Sequence, residues 1–150
     1  MAVDVSAELV IDRPPGEVAR FAIDPAHDAA WIGGVVAAEP LDPPPLAVGS
    51  RFRRTAKFLG RRFDYVTEVV ALSEPSELAM TATSPFPMTI SYQFEENGGG
   101  TLARIRVQGE GSGFFRLAQP LLAGQVRRNV AKDLARLKAL LEDGGASESS

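Results

Sequence analysis

The stretch 114–142, FFRLAQPLLAGQVRRNVAKDLARLKALLE, contains the segment best suited to cross a whole domain as one helix. Its apolar residues recur at intervals of four and seven, which places them on one stripe of a helix. Pro120 lies inside the stretch, so the regular helix either begins near that residue or is kinked in its first turns. The pattern therefore predicts a long C-terminal helix whose apolar stripe contains Phe115, Leu122, Val126, Val130, Leu137 and Leu141.

The residues before this helix have the pattern of β-strands. From Val3 to Ile11, apolar side chains alternate with polar ones, as in a strand with one buried face. Gly60 can supply the positive φ of a tight turn between two such runs, which predicts a hairpin. The predicted strands are 3–11, 35–38, 50–59, 61–72, 77–83, 88–95 and 101–110.

Two short helices are predicted after the first strand. Pro14-Pro15 can start one helix, and Asp24-Pro25 interrupts it. Pro25 can open a second helix, which Gly33-Gly34 would end. The segment 39–49 that follows carries four prolines, so we expect an exposed loop there.

This order of elements separates helices from strands and indicates an α+β fold. The terminal helix must cover the apolar face of an antiparallel sheet of about six or seven strands, so we expect the sheet to curve around it and to leave an apolar pocket between them. A length of 150 residues fits one domain, predicted for 1–143. The small polar residues 144–150 are expected to form a flexible tail.

Composition argues against several classes of function. The net charge of −3 and the absence of a long basic run argue against nucleic acid as a partner. There is no cysteine and one histidine, so no metal site or cofactor is predicted. No apolar run approaches the length of a membrane span, which predicts a cytoplasmic protein without stable membrane insertion. The sequence leaves a homodimer open.

Strand alternation also predicts which side chains face the pocket, because residues two apart share a face. Arg54 is the most informative, since it falls on a face otherwise made of Phe52, Ala56 and Phe58. A buried guanidinium needs a partner, which is either a carboxylate of the protein or one of a ligand; the alternative is that Arg54 extends to the sheet edge. The predicted ligand-binding residues are Phe52, Arg54, Tyr65, Thr67, Met88, Tyr92, Phe115 and Gln119.

A catalytic residue is not assigned from the sequence. Asp133 projects inside the apolar stripe of the terminal helix, where it either faces the pocket or hydrogen-bonds the short helices. His27 is expected near the pocket rim, and a surface histidine without a catalytic role explains it equally well. The group that would transfer a proton therefore stays open.

Several segments resemble the SRPBCC superfamily, the START and Bet v 1-like group that includes the polyketide cyclase/dehydrase and lipid-transport proteins. The resemblance covers nearly the whole chain and implies a helix-grip fold with a deep pocket between the sheet and the C-terminal helix. It names no catalytic residue. The matching segments are 12–18 (DRPPGEV) with Asp24-Pro25 and Trp31, then 49–52 (GSRF), 100–102 (GTL) and 133–138 (DLARLK).

Three functions are compatible with this sequence. The first is binding of a small hydrophobic or amphipathic ligand, either a lipid or an aromatic, polyketide-like molecule. The second is a cyclase or dehydratase-type enzyme in which Arg54, Tyr65 or Tyr92 polarises a carbonyl. The third is a protein-interaction module like the co-chaperone relatives, with an apolar patch at the proline cluster or at 84–87.

Overall fold

A computed structural model describes residues 2–58, 60–73, 76–83, 87–110 and 119–144. Over these residues the chain forms seven strands, within the predicted number. The strands are β1 (Ala2–Ile11), β2 (Val35–Pro40), β3 (Arg51–Phe58), β4 (Arg61–Ser73), β5 (Glu77–Ala82), β6 (Met88–Asn97) and β7 (Gly100–Glu110).

The strands form one sheet in the order β1-β7-β6-β5-β4-β3-β2, and every neighbouring pair is antiparallel. Five of the pairings join strands that follow one another from β2 to β7, so they form a meander, and β1 then pairs with β7. Register shifts occur between Val35 and Ala37 on β2 and between Val69 and Ala71 on β4. Bulges of this kind increase the local bend and twist, which helps the sheet to become concave.

The helices lie where the sequence predicts them. After β1 come α1 (Pro15–Ile23), a single 3-10 turn (Pro25–His27) and α2 (Asp28–Trp31). Asp24 separates the first two, and its side chain accepts a hydrogen bond from the Ala26 amide at 3.0 Å.

The terminal helix α3 spans Gln119–Ala139 in the described residues, and a π-helical turn, Leu140–Gly144, follows it. Pro120 is the second residue of this described range. The last described turn ends one residue beyond the predicted domain end at 143. The rest of the predicted tail, 145–150, lies outside the described residues.

The concave face of the sheet has the predicted composition. On β3 the buried residues are Phe52, Arg54 and Ala56, and the residues between them are exposed or half-buried. Helix α3 packs chiefly along β1, while α1 contacts β6 and β7. The core lies between this face and the helices, and its largest fully buried side chains include Trp31, Phe94, Leu134 and Leu137.

The β3–β4 hairpin turns at Gly60, as predicted. Gly60 has φ of +77°, a conformation that side-chain-bearing residues rarely adopt. The β6–β7 turn uses Gly98 and Gly99 in the same region of φ. None of the helices in the described part of the chain is long and apolar enough to cross a bilayer.

Candidate functional site

An internal cavity lies between the concave sheet and the helices, where the sequence predicts a pocket. The part bounded by described residues has a volume of about 110 Å³. An apolar cavity of about 150 Å³ in another protein holds a benzene molecule, so this space suits one ring or a short branch. We call it the inner cavity; it is lined by Trp31, Ile32, Val35, Arg54, Tyr65, Thr67, Met80, Ile90, Tyr92, Ile105, Val107, Val130 and Asp133.

Arg54 is buried at one wall of the inner cavity and forms an ion pair with Asp28. Its Nε atom lies 2.6 Å from Oδ2 of Asp28, and the two side chains are 5% and 2% exposed. Burial raises the pKa of Asp28, while the Arg54 guanidinium opposes that rise. A guanidinium at this distance keeps the carboxylate ionised near neutral pH, because arginine does not give up its proton in proteins. The partner that the sequence requires for Arg54 is therefore a carboxylate of the protein.

The remaining contacts of Arg54 hold its guanidinium in place. Nη1 donates to Oγ1 of Thr67 on the neighbouring strand β4, and it lies 3.6 Å from the sulfur of Met80. The guanidinium carbon also lies 5.4 Å from the centre of the Phe52 ring, within the range of a cation–π contact. The alternative that Arg54 extends to the sheet edge is therefore wrong.

Trp31 brings an unpaired donor to the inner cavity. Its side chain is buried, and Nε1 has no hydrogen-bond partner among the described residues. The ring meets Tyr92 edge to face, with 5.6 Å between the ring centres. A buried indole N–H without an acceptor costs about 1–3 kcal/mol, so an acceptor from a water or a ligand would stabilise it.

Two tyrosines add hydroxyl groups to the same cavity. Burial raises the pKa of the Tyr65 hydroxyl, and the charge of Arg54 partly opposes this rise. Burial raises the pKa of the Tyr92 hydroxyl by a larger amount. Both phenols are therefore neutral and able to donate a hydrogen bond at physiological pH. Tyr65 lies directly opposite Arg54 in the β3–β4 register. Residues with donor groups on three strands, β3, β4 and β6, and on α2 thus line one small space.

A polar recess, which we call the polar mouth, adjoins the inner cavity at Asp133. It has a volume of about 400 Å³ and shares Asp133 with the cavity. Oδ1 of Asp133 accepts from the Gly33 amide at 2.9 Å, and burial raises the pKa of this carboxyl. The sequence predicts two alternative roles for Asp133, a hydrogen bond to the short helices or a place in the pocket wall. In the structure Asp133 bonds the loop after α2 and also lines the inner cavity. The polar mouth is lined by Gly33, Gly34, Lys57, Gln125, Asn129, Lys132, Asp133 and Arg136.

A larger groove, of about 700 Å³, lies between α1, the 3-10 turn and the proline cluster after β2. Its acidic side chains already have partners within the protein: Asp24 bonds the Ala26 amide, and Asp42 pairs with Arg51 at 3.0 Å. We call it the outer groove. The inner cavity is the better candidate site, despite its smaller volume, because it combines buried donors with apolar walls.

The predicted site residues are divided among these regions. Arg54, Tyr65, Thr67 and Tyr92 line the inner cavity, whereas Phe52 lines the outer groove. Met88 is half-buried at the start of β6 and is not part of the cavity wall. Phe115 lies outside the described residues, and Gln119 is described only as the first residue of α3.

Sequence reasoning missed Asp28 and did not assign Trp31 to the site. Both residues belong to α2 and lie three positions apart, so they share one face of that turn. This spacing of a carboxylate and an aromatic residue was the available signal. His27, by contrast, stacks on Phe21 with ring centres 4.1 Å apart, and its Nδ1 lies 2.9 Å from the Phe21 carbonyl oxygen. It does not line the inner cavity.

Comparison with known proteins identifies the family. Residues 2–142 match the family model described as polyketide cyclase / dehydrase and lipid transport, which is nearly the whole chain. The chain belongs to this family. The resemblance to the SRPBCC superfamily is thereby confirmed, although no curated protein matches the sequence.

Solved structures show the same fold at low sequence identity. A protein from Thermus thermophilus matches with a TM-score of 0.80 and 20% identity, over 94% of this chain and 98% of that one. The aromatase/cyclase Zhui from Streptomyces matches with a TM-score of 0.78 and 14% identity, over 95% and 94%. The protein Ara h 8.0201 matches with a TM-score of 0.62 and 14% identity, over 91% of this chain and 99% of that one. Family membership and these matches establish the helix-grip architecture.

Proposed function

We propose that this member of the polyketide cyclase / dehydrase and lipid transport family binds a small amphipathic ligand in the inner cavity. The observation that carries the proposal is the unpaired Nε1 of Trp31, a buried donor on a residue that lines this mostly apolar cavity. Arg54 and Tyr92 supply further donors beside it. A ligand with a compact apolar body and one acceptor oxygen matches this lining.

The cavity volume selects among the predicted ligand classes. The described part of the cavity, about 110 Å³, is somewhat smaller than a cavity that holds one benzene ring, and a long acyl chain requires more space than this part offers. Within the described cavity this favours an aromatic or short-chain body over a bulky lipid. The family description also includes lipid transport; of the two ligand classes, we propose the aromatic one.

Binding of phenylbutanol is expected to shift the indole N–H resonance of Trp31. The chain has one tryptophan, so this resonance is unique in a spectrum of the ¹⁵N-labelled protein. For a ligand of this size we expect a saturable downfield shift with a dissociation constant of roughly 0.1–1 mM. The downfield direction follows because the indole N–H gains an acceptor.

A variant that fills the cavity provides the control. Val130 lines the inner cavity, so Val130→Phe should weaken phenylbutanol binding at least tenfold, while Val66→Phe, on an exposed face of β4, should leave it unchanged. The proposal would be abandoned if phenylbutanol caused no saturable shift, or if Val130→Phe bound it as tightly as Val66→Phe did.

A second function is favoured by the acid and base groups of the same cavity. Tyr92 is a neutral donor, and Asp133 is a carboxyl with a pKa raised by burial. A phenol that polarises a carbonyl and a carboxylate that removes a proton beside it would allow enolisation, a step of cyclase and dehydratase chemistry. Aromatase/cyclases are among the proteins with this fold.

Exchange of the protons next to the carbonyl of phenylbutanone with deuterium from D₂O tests this second function. Asp133 would remove a proton to give the enolate, Tyr92 would hydrogen-bond the enolate oxygen, and return of a deuteron would complete the exchange. We expect catalysed exchange to fall about 10²-fold or more in Asp133→Asn and in Tyr92→Phe. Exchange at the rate of buffer alone, or equal rates in all three proteins, would exclude the enzyme. The protein-interaction function at the proline cluster stays a prediction.

A further inference from the structure

The polar mouth lies beside the inner cavity, and consecutive residues of the chain line the two spaces. Trp31 and Ile32 line the cavity, and Gly33 and Gly34, the next two residues, line the mouth. Among the described residues, Asp133 alone lines both spaces. It therefore stands at the boundary between the cavity and the mouth.

The mouth has a positive lining on an otherwise acidic protein. Asn129, Lys132 and Arg136 follow at intervals of three and four on α3, so they share one stripe that faces the Gly33-Gly34 loop. Lys57 lines the opposite side. Against these three cations stands one carboxylate, Asp133, while the whole chain carries a net charge of −3.

The cations of the mouth are only partly used by the protein itself. Arg136 donates to the Trp31 carbonyl oxygen at 2.8 Å and lies 3.4 Å from Asp133, so it holds the loop in place. Lys132 is exposed and has no ion pair or hydrogen bond with any side chain in the described part of the chain. Its ammonium group is therefore available to a ligand.

We propose that the polar mouth binds the anionic head group of the ligand whose apolar body occupies the inner cavity. This inference rests on the proposed binding function and narrows it to anionic amphipathic molecules, such as aryl-alkyl carboxylates or phosphate monoesters. Lys132 supplies a positive charge for the head group, and Asn129 supplies an amide donor. Arg136 lines the mouth and donates to the Trp31 carbonyl oxygen. Arg136 Nη1 lies 3.4 Å from Oδ1 of Asp133 and offsets the charge of this carboxylate toward an anion bound nearby.

Three probes that differ only in their head group test the inference. Phenylbutyrate, phenylbutyl phosphate and the neutral phenylbutanol are titrated into the labelled protein. The readout is any saturable change of the Trp31 indole resonance, because Trp31 lines the cavity that the phenyl ring would occupy. We expect at least one anion to bind about three- to tenfold more tightly than phenylbutanol at low salt. The preference should shrink in about 0.5 M sodium chloride, because salt screens exposed charges. The tighter of the two anions identifies the head group as carboxylate or phosphate.

A matched pair of charge reversals locates the effect. Lys132→Glu should weaken binding of the preferred anion by roughly three- to tenfold and leave phenylbutanol unchanged. Arg127→Glu makes the same charge change on an exposed residue of the same helix that does not line the mouth, and it should alter neither.

The outcomes separate this inference from the proposed function. If phenylbutanol binds but neither anion binds better, or if the preference survives Lys132→Glu, the anionic mouth is refuted and the cavity stands. If none of the three probes shifts the Trp31 resonance, both proposals fail. An equal loss in Lys132→Glu and Arg127→Glu would show a general effect of charge and would also refute the mouth.

Discussion

Replacement of Asp28 by alanine is expected to lower the free energy of unfolding by about 3–5 kcal/mol. The Arg54 side chain is 5% exposed and would keep a charge with only neutral partners, the Thr67 hydroxyl and the Met80 sulfur. Arginine cannot relieve this by losing its proton. Urea denaturation followed by circular dichroism measures the effect.

Two further variants distinguish the buried pair from an ordinary ion pair. Asp4→Ala breaks the Asp4–Arg106 pair, in which both side chains are about half exposed, and should lower the free energy of unfolding far less than Asp28→Ala does, because solvent screens exposed charges. The double variant Asp28→Leu/Arg54→Met should recover much of the stability lost in Asp28→Ala, since no buried charge remains. An Asp28→Ala variant that loses no more stability than Asp4→Ala would contradict the structure at this point.

The double variant also bears on function. If the Asp28–Arg54 pair contributes to ligand binding in the inner cavity, the double variant should fold and yet bind phenylbutanol more weakly than the unaltered protein. A stable double variant with unchanged binding would leave the pair a structural role only. Apolar residues of similar volume often stabilise a protein as well as a buried ion pair does. Replacing both Asp28 and Arg54 by such residues is therefore the informative comparison.

Truncation of Leu137 to alanine should lower the free energy of unfolding by about 2–5 kcal/mol. Leu137 is fully buried in α3 and belongs to the core cluster between this helix and the sheet. The change removes apolar contacts and leaves a cavity that the rigid surroundings only partly close. Thermal and urea unfolding measure the loss.

Leu140→Ala is the matched control for Leu137→Ala. Leu140 follows within one turn, is 37% exposed, and should lose less than about 1 kcal/mol on the same truncation. The difference between the two variants reports how closely this part of the terminal segment packs on the core. Equal losses would mean that the apolar stripe does not face the sheet as described.

The architecture was predictable because it depends on local periodicity. Alternation along 3–11 predicted β1, and the proline and aspartate signals at 14–15 and 24–25 predicted the two short helices. The bulges on β2 and β4 were not predicted, since the residues around them continue the strand pattern.

The candidate site was predictable in part. Arg54, Tyr65, Thr67 and Tyr92 were assigned to the concave face by alternation, and the structure places all four in the wall of the inner cavity. Asp28 was missed because it lies 26 residues before Arg54, in a short helix whose docking no local pattern reveals. The polar mouth was missed for the same reason, since Lys132 and the Gly33 loop meet only in the folded chain.

By itself, the sequence determined the element order, the buried face of most strands and the need of Arg54 for a partner. Those features follow from backbone geometry, which repeats every two residues in a strand and every 3.6 in a helix. Only the tertiary structure decided that the partner is Asp28, that the inner cavity is small, and that Asp133 lies between it and a cationic recess. Such features depend on how distant segments dock and how closely their side chains fill the space between them, which no local repeat encodes.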